Sequence, residues 1–271
     1  MLELNELNIC IVGANGRMGT MFCQAFKPHV KNVYALNLRP NHSELLPADI
    51  QRSVPEAHIV MLSVPADVLA QTVQAIAPYL KAGALLTDVT SVKMLPMQHM
   101  EEIYPGPVIG THPLFGPMDV NIEKGILFSD GNLMENAVVL TRGANAGPKH
   151  LKYLEELFKH INCNTFIANA EEHDKAVATI QALNFLSSLA YFATAAALPN
   201  LQKYVTPSFK RRLLAAEKFL HEDAELFTTI ARNSPPLKEV LQEYIATLSS
   251  LADLDQKTIT DMLKQARQCY Q

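Results

Sequence analysis

Three glycines near the N-terminus restrict the possible fold more than any other feature of this sequence. The run Asn8–Gly13 is apolar and β-branched, which predicts a buried parallel strand. Gly13, Gly16 and Gly19 follow, and apolar residues then recur with helical period as far as Phe26. Glycines between a strand and a helix let the backbone approach a pyrophosphate, which the helix N-terminus attracts. The spacing GxxGxxG is one residue longer than GxGxxG, but its strand and helix context predicts nucleotide binding.

Further cofactor contacts are expected where the next strands end. The strand Ala57–Val64 is ended by Pro65, and the strand Ala84–Val89 brings the following loop to the same edge of the sheet. Ligands of such sheets lie outside the carboxyl ends of the strands. The predicted cofactor-binding residues near the glycine loop and these strand ends are Gly13, Asn15, Gly16, Arg17, Met18, Gly19, Ser63, Val64, Pro65 and Thr90.

The choice between NAD and NADP depends on the end of the second strand, Val33–Asn37. An acidic residue there would bind the ribose 2′-hydroxyl and favour NAD. This chain has Asn37 instead, with Arg39 two residues later. An amide and a guanidinium can together accept a 2′-phosphate, although Arg39 could equally be a surface-loop residue. The sequence therefore predicts NAD or NADP, with a slight preference for NADP.

Two polar side chains are expected to meet at the end of neighbouring strands. Val108–Gly110 predicts a short buried strand, and His112 follows where Pro113 is expected to stop it. A histidine at a strand end suits a reacting group, although it could also only bond to backbone in a turn. Ser91 follows the strand Ala84–Val89, so we expect Ser91 and His112 to be neighbours.

The pattern changes after residue 168. Strands alternate with helices up to that point, whereas nothing after Ala170 alternates with period two. Three helices are predicted there, from 171 to about 198, from 206 to about 232 and from 237 to about 269. We therefore predict an α/β Rossmann-like dinucleotide-binding domain at 1–168, followed by an all-α substrate and dimerisation domain at 169–271. The first of these helices is apolar on most faces, so a homodimer is expected to cover it.

Composition excludes several classes of protein. The 271 residues carry a net charge of −4, which gives no footprint for nucleic acid. The four cysteines lack CxxC spacing, which argues against a zinc site or disulfide framework and suits the cytoplasm. The most apolar segment, Phe185–Leu198, is too short to cross a bilayer and is expected to be a buried helix. We expect a small-molecule substrate, with no nucleic acid, membrane or metal.

Four motifs together resemble those of the prephenate/arogenate (cyclohexadienyl) dehydrogenases of tyrosine biosynthesis. They lie at 13–19, 87–93, 110–117 and 172–183, in the order of that family. The resemblance implies that hydride leaves C4 of a cyclohexadienyl ring for NAD(P) while the ring carboxylate leaves as CO₂. It also implies that His112 is the general base or polariser of the 4-hydroxyl. Ser91 is expected to support the same oxygen or to orient the imidazole, and His173 to cap its helix or form a hinge.

The sequence departs from the family at the substrate side. Where the family often has a second histidine and an arginine, this chain has Asn184 and Lys218. Lysine keeps the charge but loses the bidentate fork, which Arg211 on the same helix face could supply. Asn184, Lys218 and Arg211 are the predicted substrate contacts, although a solvated basic face would look the same. These changes leave open a preference for arogenate or 4-amino-4-deoxyprephenate, or a catalytically silent NAD(P)-binding regulator.

Overall fold

The computed structural model describes residues 2–37, 47–116, 126–127, 133–134, 136–221, 224–251 and 255–270. The strands in these ranges are β1 (Asn8–Val12), β2 (Asn32–Leu36), β3 (Ile59–Leu62), β4 (Leu85–Asp88), β5 (Val108–Pro113), β6 (Ile126–Leu127), β7 (Leu133–Met134), β8 (Asn136–Arg142) and β9 (Cys163–Ile167). The α-helices are α1 (Arg17–Phe26), α2 (Pro47–Ser53), α3 (Ala66–Ile76), α4 (Met94–Ile103), α5 (Pro148–Lys159), α6 (Ala170–Val177), α7 (Asn184–Ala196), α8 (Pro207–His221), α9 (Ala224–Arg232), α10 (Leu237–Ser250) and α11 (Gln256–Ala266).

Seven of the strands form one sheet in the order β2-β1-β3-β4-β5-β8-β9. Strands β1 to β5 are parallel, β8 runs antiparallel to β5, and β9 runs parallel to β8. The strand order reverses beside β1, and the crevice at such a point is where this class of sheet binds ligands. The sheet confirms the predicted Rossmann-like fold, and the described residues after 170 confirm a helical C-terminal region. The boundary at 168/169 stays a prediction.

Helices cover both faces of the sheet because its strands are buried on both sides. Phe22 and Phe26 of α1 stack with ring centroids 5.1 Å apart, and Phe158 of α5 packs edge-on against both. Each buried phenylalanine contributes roughly 1.5–3 kcal/mol to stability. On the other face, Met97 and Met100 of α4 belong to a second apolar cluster. The carboxyl ends of the strands are thereby held in fixed positions.

Strand β5 is longer than the sequence indicates. It was expected to end before His112, but it continues through His112 to Pro113, paired antiparallel with β8. Leu114 donates its N–H to Ala137 and Gly143 donates to Val108, so the hydrogen-bonded pairs are the even-numbered residues of β5. Pro113 is an odd-numbered residue, so an N–H at this position would point away from β8. It would also find no partner in β4, whose pairing with β5 ends at Gly110. Because no ladder bond is lost, the proline is tolerated.

The helical region contains more breaks than predicted. The helix expected from 171 to about 198 consists of α6, a π-helical segment at Ala178–Leu183 and α7. The helix start at Thr206 is confirmed, since the Phe209 N–H donates to its hydroxyl. The last predicted helix is instead α10 and α11, because Asp255 accepts the Thr258 N–H and caps a new helix.

The long helix is not buried within this chain, contrary to the expectation for Phe185–Leu198. Leu189 is 44% exposed and Leu198 is 53% exposed. By length and composition alone, the helical run Ala170–Ala196 could cross a membrane, and 17% of its most apolar window is buried. Its N-terminal part does pack inward, where Val177, Ala178 and Ala182 join an apolar cluster with α9 and α10. The C-terminal part of the predicted helix therefore keeps apolar side chains exposed.

Candidate active site

The glycine loop has the backbone geometry of a cradle with no room for side chains. Gly13 has a φ of +83°, and a Cβ there would lie 2.3 Å from the Ser63 carbonyl oxygen. A Cβ at Gly19 would lie 2.2 Å from the Gly13 carbonyl oxygen. Helix α1 begins directly after Gly16, and the N–H groups of its first turn have no partners within the helix. This turn therefore fits the phosphates of a dinucleotide.

A cleft of about 290 Å³ lies beside this loop. Three of its walls are formed by residues that the sequence predicted for the site. The predicted cofactor contacts in these walls are Gly16, Arg17, Met18, Ser63, Val64, Pro65 and Thr90, and the predicted catalytic residue Ser91 lies beside Thr90. Gly13, Asn15 and Gly19 belong to the loop without lining the cleft. Asn37 is exposed just after β2, and Arg39 lies outside the described residues. The structure therefore places most of the predicted cofactor residues around one space.

Helix α9 supplies the opposite wall, which the sequence did not indicate. Leu226, Thr229 and Ile230 face the cleft. Asp67, in the first turn of α3, accepts a hydrogen bond from Asn233 at 2.6 Å and one from Thr229 at 3.1 Å. The i, i+3, i+4 spacing of the three lining residues was the only available signal, and it does not reveal the partner of a helix face.

The loop after β4 is held by a buried cluster of Asp88, Thr90 and Lys93. Lys93 donates to the Asp88 carboxylate, and both side chains are fully buried. The Thr90 hydroxyl lies within this cluster, accepting from Lys93 at 3.1 Å and bonding with Asp88. Burial lowers the pKa of Lys93, while Asp88 and Asp174 act in the opposite direction. Thr90 thus lines the cleft with its hydroxyl turned toward this cluster, and Ser91, the next residue, lines the cleft as well.

His112 is 3% exposed, and it does not line the cleft itself. Its Nδ1 lies 2.9 Å from Nε2 of His173. Burial lowers the pKa of His112 well below its ordinary value, and nearby His173 and Lys93 lower it further. The imidazole is therefore neutral at pH 7 and can accept a proton. Its orientation is set by His173 and not by Ser91, so supporting the substrate oxygen is the role still predicted for Ser91.

His173 does not have the capping role expected for it. The cap of α6 is Asn169, whose side chain accepts the Glu172 N–H at 2.9 Å. Nδ1 of His173 lies 2.8 Å from the carboxylate of Asp174. That carboxylate also accepts the backbone N–H groups of Lys93 and Met94, at 2.6 and 2.8 Å. Adjacent His173 and Asp174 near the helix start were the signal in the sequence. The sequence could not indicate that His173 contacts His112, which lies 61 residues earlier.

The structure does not place the predicted substrate contacts in the lining of the cleft. Asn184 begins α7 and Arg211 lies on α8, and both are exposed and lie outside the lining of the cleft. Lys218 belongs to α8, and its side chain lies outside the described residues. The neighbouring Arg212 is committed elsewhere, since its guanidinium lies 3.7 Å from the ring centroid of Tyr191. The structure therefore leaves the assignment of the carboxylate-binding cation as a prediction.

Comparisons with known proteins agree with this geometry. The family model for the nucleotide-binding domain of prephenate dehydrogenase matches residues 42–167. The T-protein of Haemophilus influenzae is 26% identical across 97% of this chain and 67% of its own length. A probable arogenate/prephenate dehydrogenase of Methanocaldococcus jannaschii is 23% identical across 98% of this chain. The chain spans 61% of the length of that second relative.

A solved structure shares the fold over nearly the whole chain. It is prephenate dehydrogenase from A. aeolicus, in complex with hydroxyphenyl propionate and NAD⁺. The TM-score is 0.76 at 21% identity, covering 99% of this chain and 96% of the other. Residues 42–167 thus match the nucleotide-binding domain of prephenate dehydrogenase, and nearly the whole chain is similar to members of the prephenate/arogenate dehydrogenase family.

Proposed function

We propose that this chain catalyses the NAD(P)-dependent oxidative decarboxylation of prephenate or arogenate, giving 4-hydroxyphenylpyruvate or tyrosine. The observation that carries the proposal is the position of His112. Its buried, neutral imidazole lies on β5, next to β4, whose following loop lines the dinucleotide cleft. A proton acceptor is thus fixed at the edge of the sheet where the cofactor is expected.

In the proposed reaction, the protein contributes a base that accepts and returns one proton. NAD(P)⁺, when bound, supplies the acceptor for the hydride that leaves C4. Nε2 of His112 accepts the proton of the 4-hydroxyl as the hydride leaves C4. The electron pair of the bond between the ring and its carboxylate enters the ring as CO₂ leaves. The proton then returns to the phenol oxygen, so that no net proton is gained or lost. Positioned base catalysis of this kind contributes roughly 10²–10⁴-fold.

A turnover panel tests this proposal. Purified protein is incubated with prephenate, arogenate or 4-amino-4-deoxyprephenate, each with NAD⁺ or NADP⁺, and absorbance is followed at 340 nm. We expect turnover of prephenate or arogenate, since the Methanocaldococcus jannaschii relative and the A. aeolicus structure are named for these substrates and not for the amino analogue. His112→Asn should lose roughly 10²–10⁴-fold in kcat while cofactor still binds. Tight cofactor binding without turnover of any substrate would instead identify a silent regulator.

NADP is the proposed cofactor, on the basis of Asn37 and Arg39. If these residues accept a 2′-phosphate, Arg39→Ala should raise the KM for NADP and leave the KM for NAD unchanged. The matched control is Arg52→Ala, since Arg52 is exposed and pairs with Asp49 in α2. An equal effect of Arg39→Ala on both cofactors would refute this preference.

Lys218 or Arg211 is proposed to bind a substrate carboxylate, with Asn184 as a further polar contact. Each cation is replaced by alanine and the KM for substrate is compared. The residue that binds the carboxylate should raise this KM by at least tenfold without changing cofactor affinity. Arg212→Ala is the control on the same helix, because its guanidinium stacks on Tyr191. Unchanged KM values for both Lys218→Ala and Arg211→Ala would place the carboxylate elsewhere.

A homodimer is proposed because the helical region exposes many large apolar side chains. Those that are more than half exposed include Ile180, Leu198, Tyr204, Leu214, Ile245, Leu248 and Leu263. An exposed apolar surface of this kind marks an interaction site, and closed twofold dimers are the commonest assembly. Sedimentation velocity should give a dimer, and Leu214→Glu with Ile245→Glu should weaken it. A monomer that floats with lipid vesicles would instead indicate a membrane surface.

A further inference from the structure

His112, His173 and Asp174 form a hydrogen-bonded chain in the protein interior. The imidazole nitrogens lie 2.9 Å apart, and the second imidazole lies 2.8 Å from the carboxylate. The three residues are 3%, 4% and 0% exposed, so each partner is a protein group and not bulk water. The pattern of motifs singled out His112 and Ser91 for catalysis, and it left His173 and Asp174 without a chemical role.

The direction of these hydrogen bonds follows from the carboxylate end. Asp174 accepts the backbone N–H groups of Lys93 and Met94, so it is fixed as an acceptor. Nδ1 of His173 must then carry the hydrogen that points to Asp174, which leaves a lone pair on Nε2. That lone pair accepts a hydrogen from Nδ1 of His112. The remaining nitrogen of His112, Nε2, is therefore unprotonated.

We propose that His173 and Asp174 are positioning residues that hold His112 in the tautomer whose Nε2 can act as a base. The proposal rests on the proposed function of His112. Without His173, Nδ1 of His112 has no acceptor, and the hydrogen can occupy either nitrogen. A hydrogen on Nε2 would block proton acceptance altogether. When Nε2 takes a proton, the new positive charge is stabilised through His173 by the carboxylate of Asp174.

These hydrogen bonds also link the helical region to the sheet. His173 and Asp174 belong to α6, whereas His112 belongs to the sheet. Lys93 and Met94 follow the loop that carries Ser91, so Asp174 ties α6 to the polypeptide that lines the cleft. The base therefore acquires its correct tautomer only when α6 is docked against the sheet edge.

Two substitutions of His173 separate positioning from general stability. The carbonyl oxygen of His173→Gln can accept the hydrogen from Nδ1 of His112, whereas His173→Phe offers no acceptor. We expect His173→Phe to lower kcat by about 10²-fold or more, with the KM for NAD(P) changed by less than about threefold. His173→Gln should recover at least about tenfold of that loss. The control is His150→Gln, because His150 is a buried histidine bonded to Gly147 away from this chain.

The tautomer is measured directly on the full chain. The ¹⁵N shifts of the two ring nitrogens of His112, assigned by comparison with His112→Gln, identify the nitrogen that carries the hydrogen. We expect hydrogen on Nδ1 in the wild type and a mixture of tautomers in His173→Phe. A wild-type hydrogen on Nε2, or a glutamine variant no better than phenylalanine, would overturn the proposal. The spectrum needs no turnover, so it decides the tautomer even if the proposed reaction fails.

Discussion

Lys93 and Asp88 form an ion pair in which neither side chain has any exposed surface. The backbone N–H of Thr90 also donates to this carboxylate at 3.0 Å. Gly110 on the adjacent strand makes room for the pair, since a Cβ there would lie 2.9 Å from Cδ of Lys93. Two charges removed from water depend on each other, because removing one leaves the other charge buried and uncompensated. The loop bearing Ser91 is therefore anchored by electrostatics as well as by packing.

Removing one member of this pair should be far more harmful than removing both charges. Lys93→Met leaves the Asp88 carboxylate buried and unpaired, at a cost of about 3–5 kcal/mol in the free energy of unfolding. The double variant Lys93→Met with Asp88→Asn should recover a clear part of that loss, as measured by urea unfolding. Lys149→Met, at an exposed position, is the control. A double variant as unstable as the single one would contradict this account.

The sheet and the glycine loop were predictable because their signals are local. Buried β-branched runs indicate parallel strands, and Gly13 and Gly19 are needed for contacts between adjacent elements. The pairing of His112 with His173 was not predictable, because residues 61 positions apart meet only through tertiary packing. The extension of β5 through Pro113 depends likewise on β8, whose direction no periodicity reports.

The glycine loop gives a second prediction, with a matched control in the same chain. Gly13 and Gly83 both have positive φ, +83° and +77°, but a Cβ added at Gly83 would meet no atom within 4 Å. Gly83→Ala should therefore cost only the left-handed backbone strain, about 1–2 kcal/mol. Gly13→Ala should cost more, because its methyl group would strike the Ser63 carbonyl, and it should also weaken NAD(P) binding. Unfolding curves and cofactor titration of the two variants measure this difference, and equal effects would argue against the cradle.

The lowered pKa of His112 makes stability depend on pH. Below pH 6.5 the unfolded chain binds a proton at this residue that the folded chain does not, so stability is complete above about 6.5 and decreases as the pH falls toward the lower folded value. The slope for one such group is at most about 1.4 kcal/mol per pH unit. Urea unfolding between pH 7.5 and 5.5 should show this loss, and His112→Gln should make it smaller. His160→Gln, at an exposed position, should keep the wild-type slope.

The position of α9 beside the cleft depends on its hydrogen bonds to Asp67 of α3. Asn233 donates to Asp67 at 2.6 Å and does not line the cleft. Asn233→Ala removes a hydrogen bond to a charged group, worth roughly 1.5–3 kcal/mol, so α9 should dock less firmly and the Kd for NAD(P) should rise several-fold. Arg232→Ala is the control, since Arg232 is 70% exposed and lies 3.8 Å from the same carboxylate. If calorimetric titration shows equal Kd values for both variants, α9 does not shape the cofactor site.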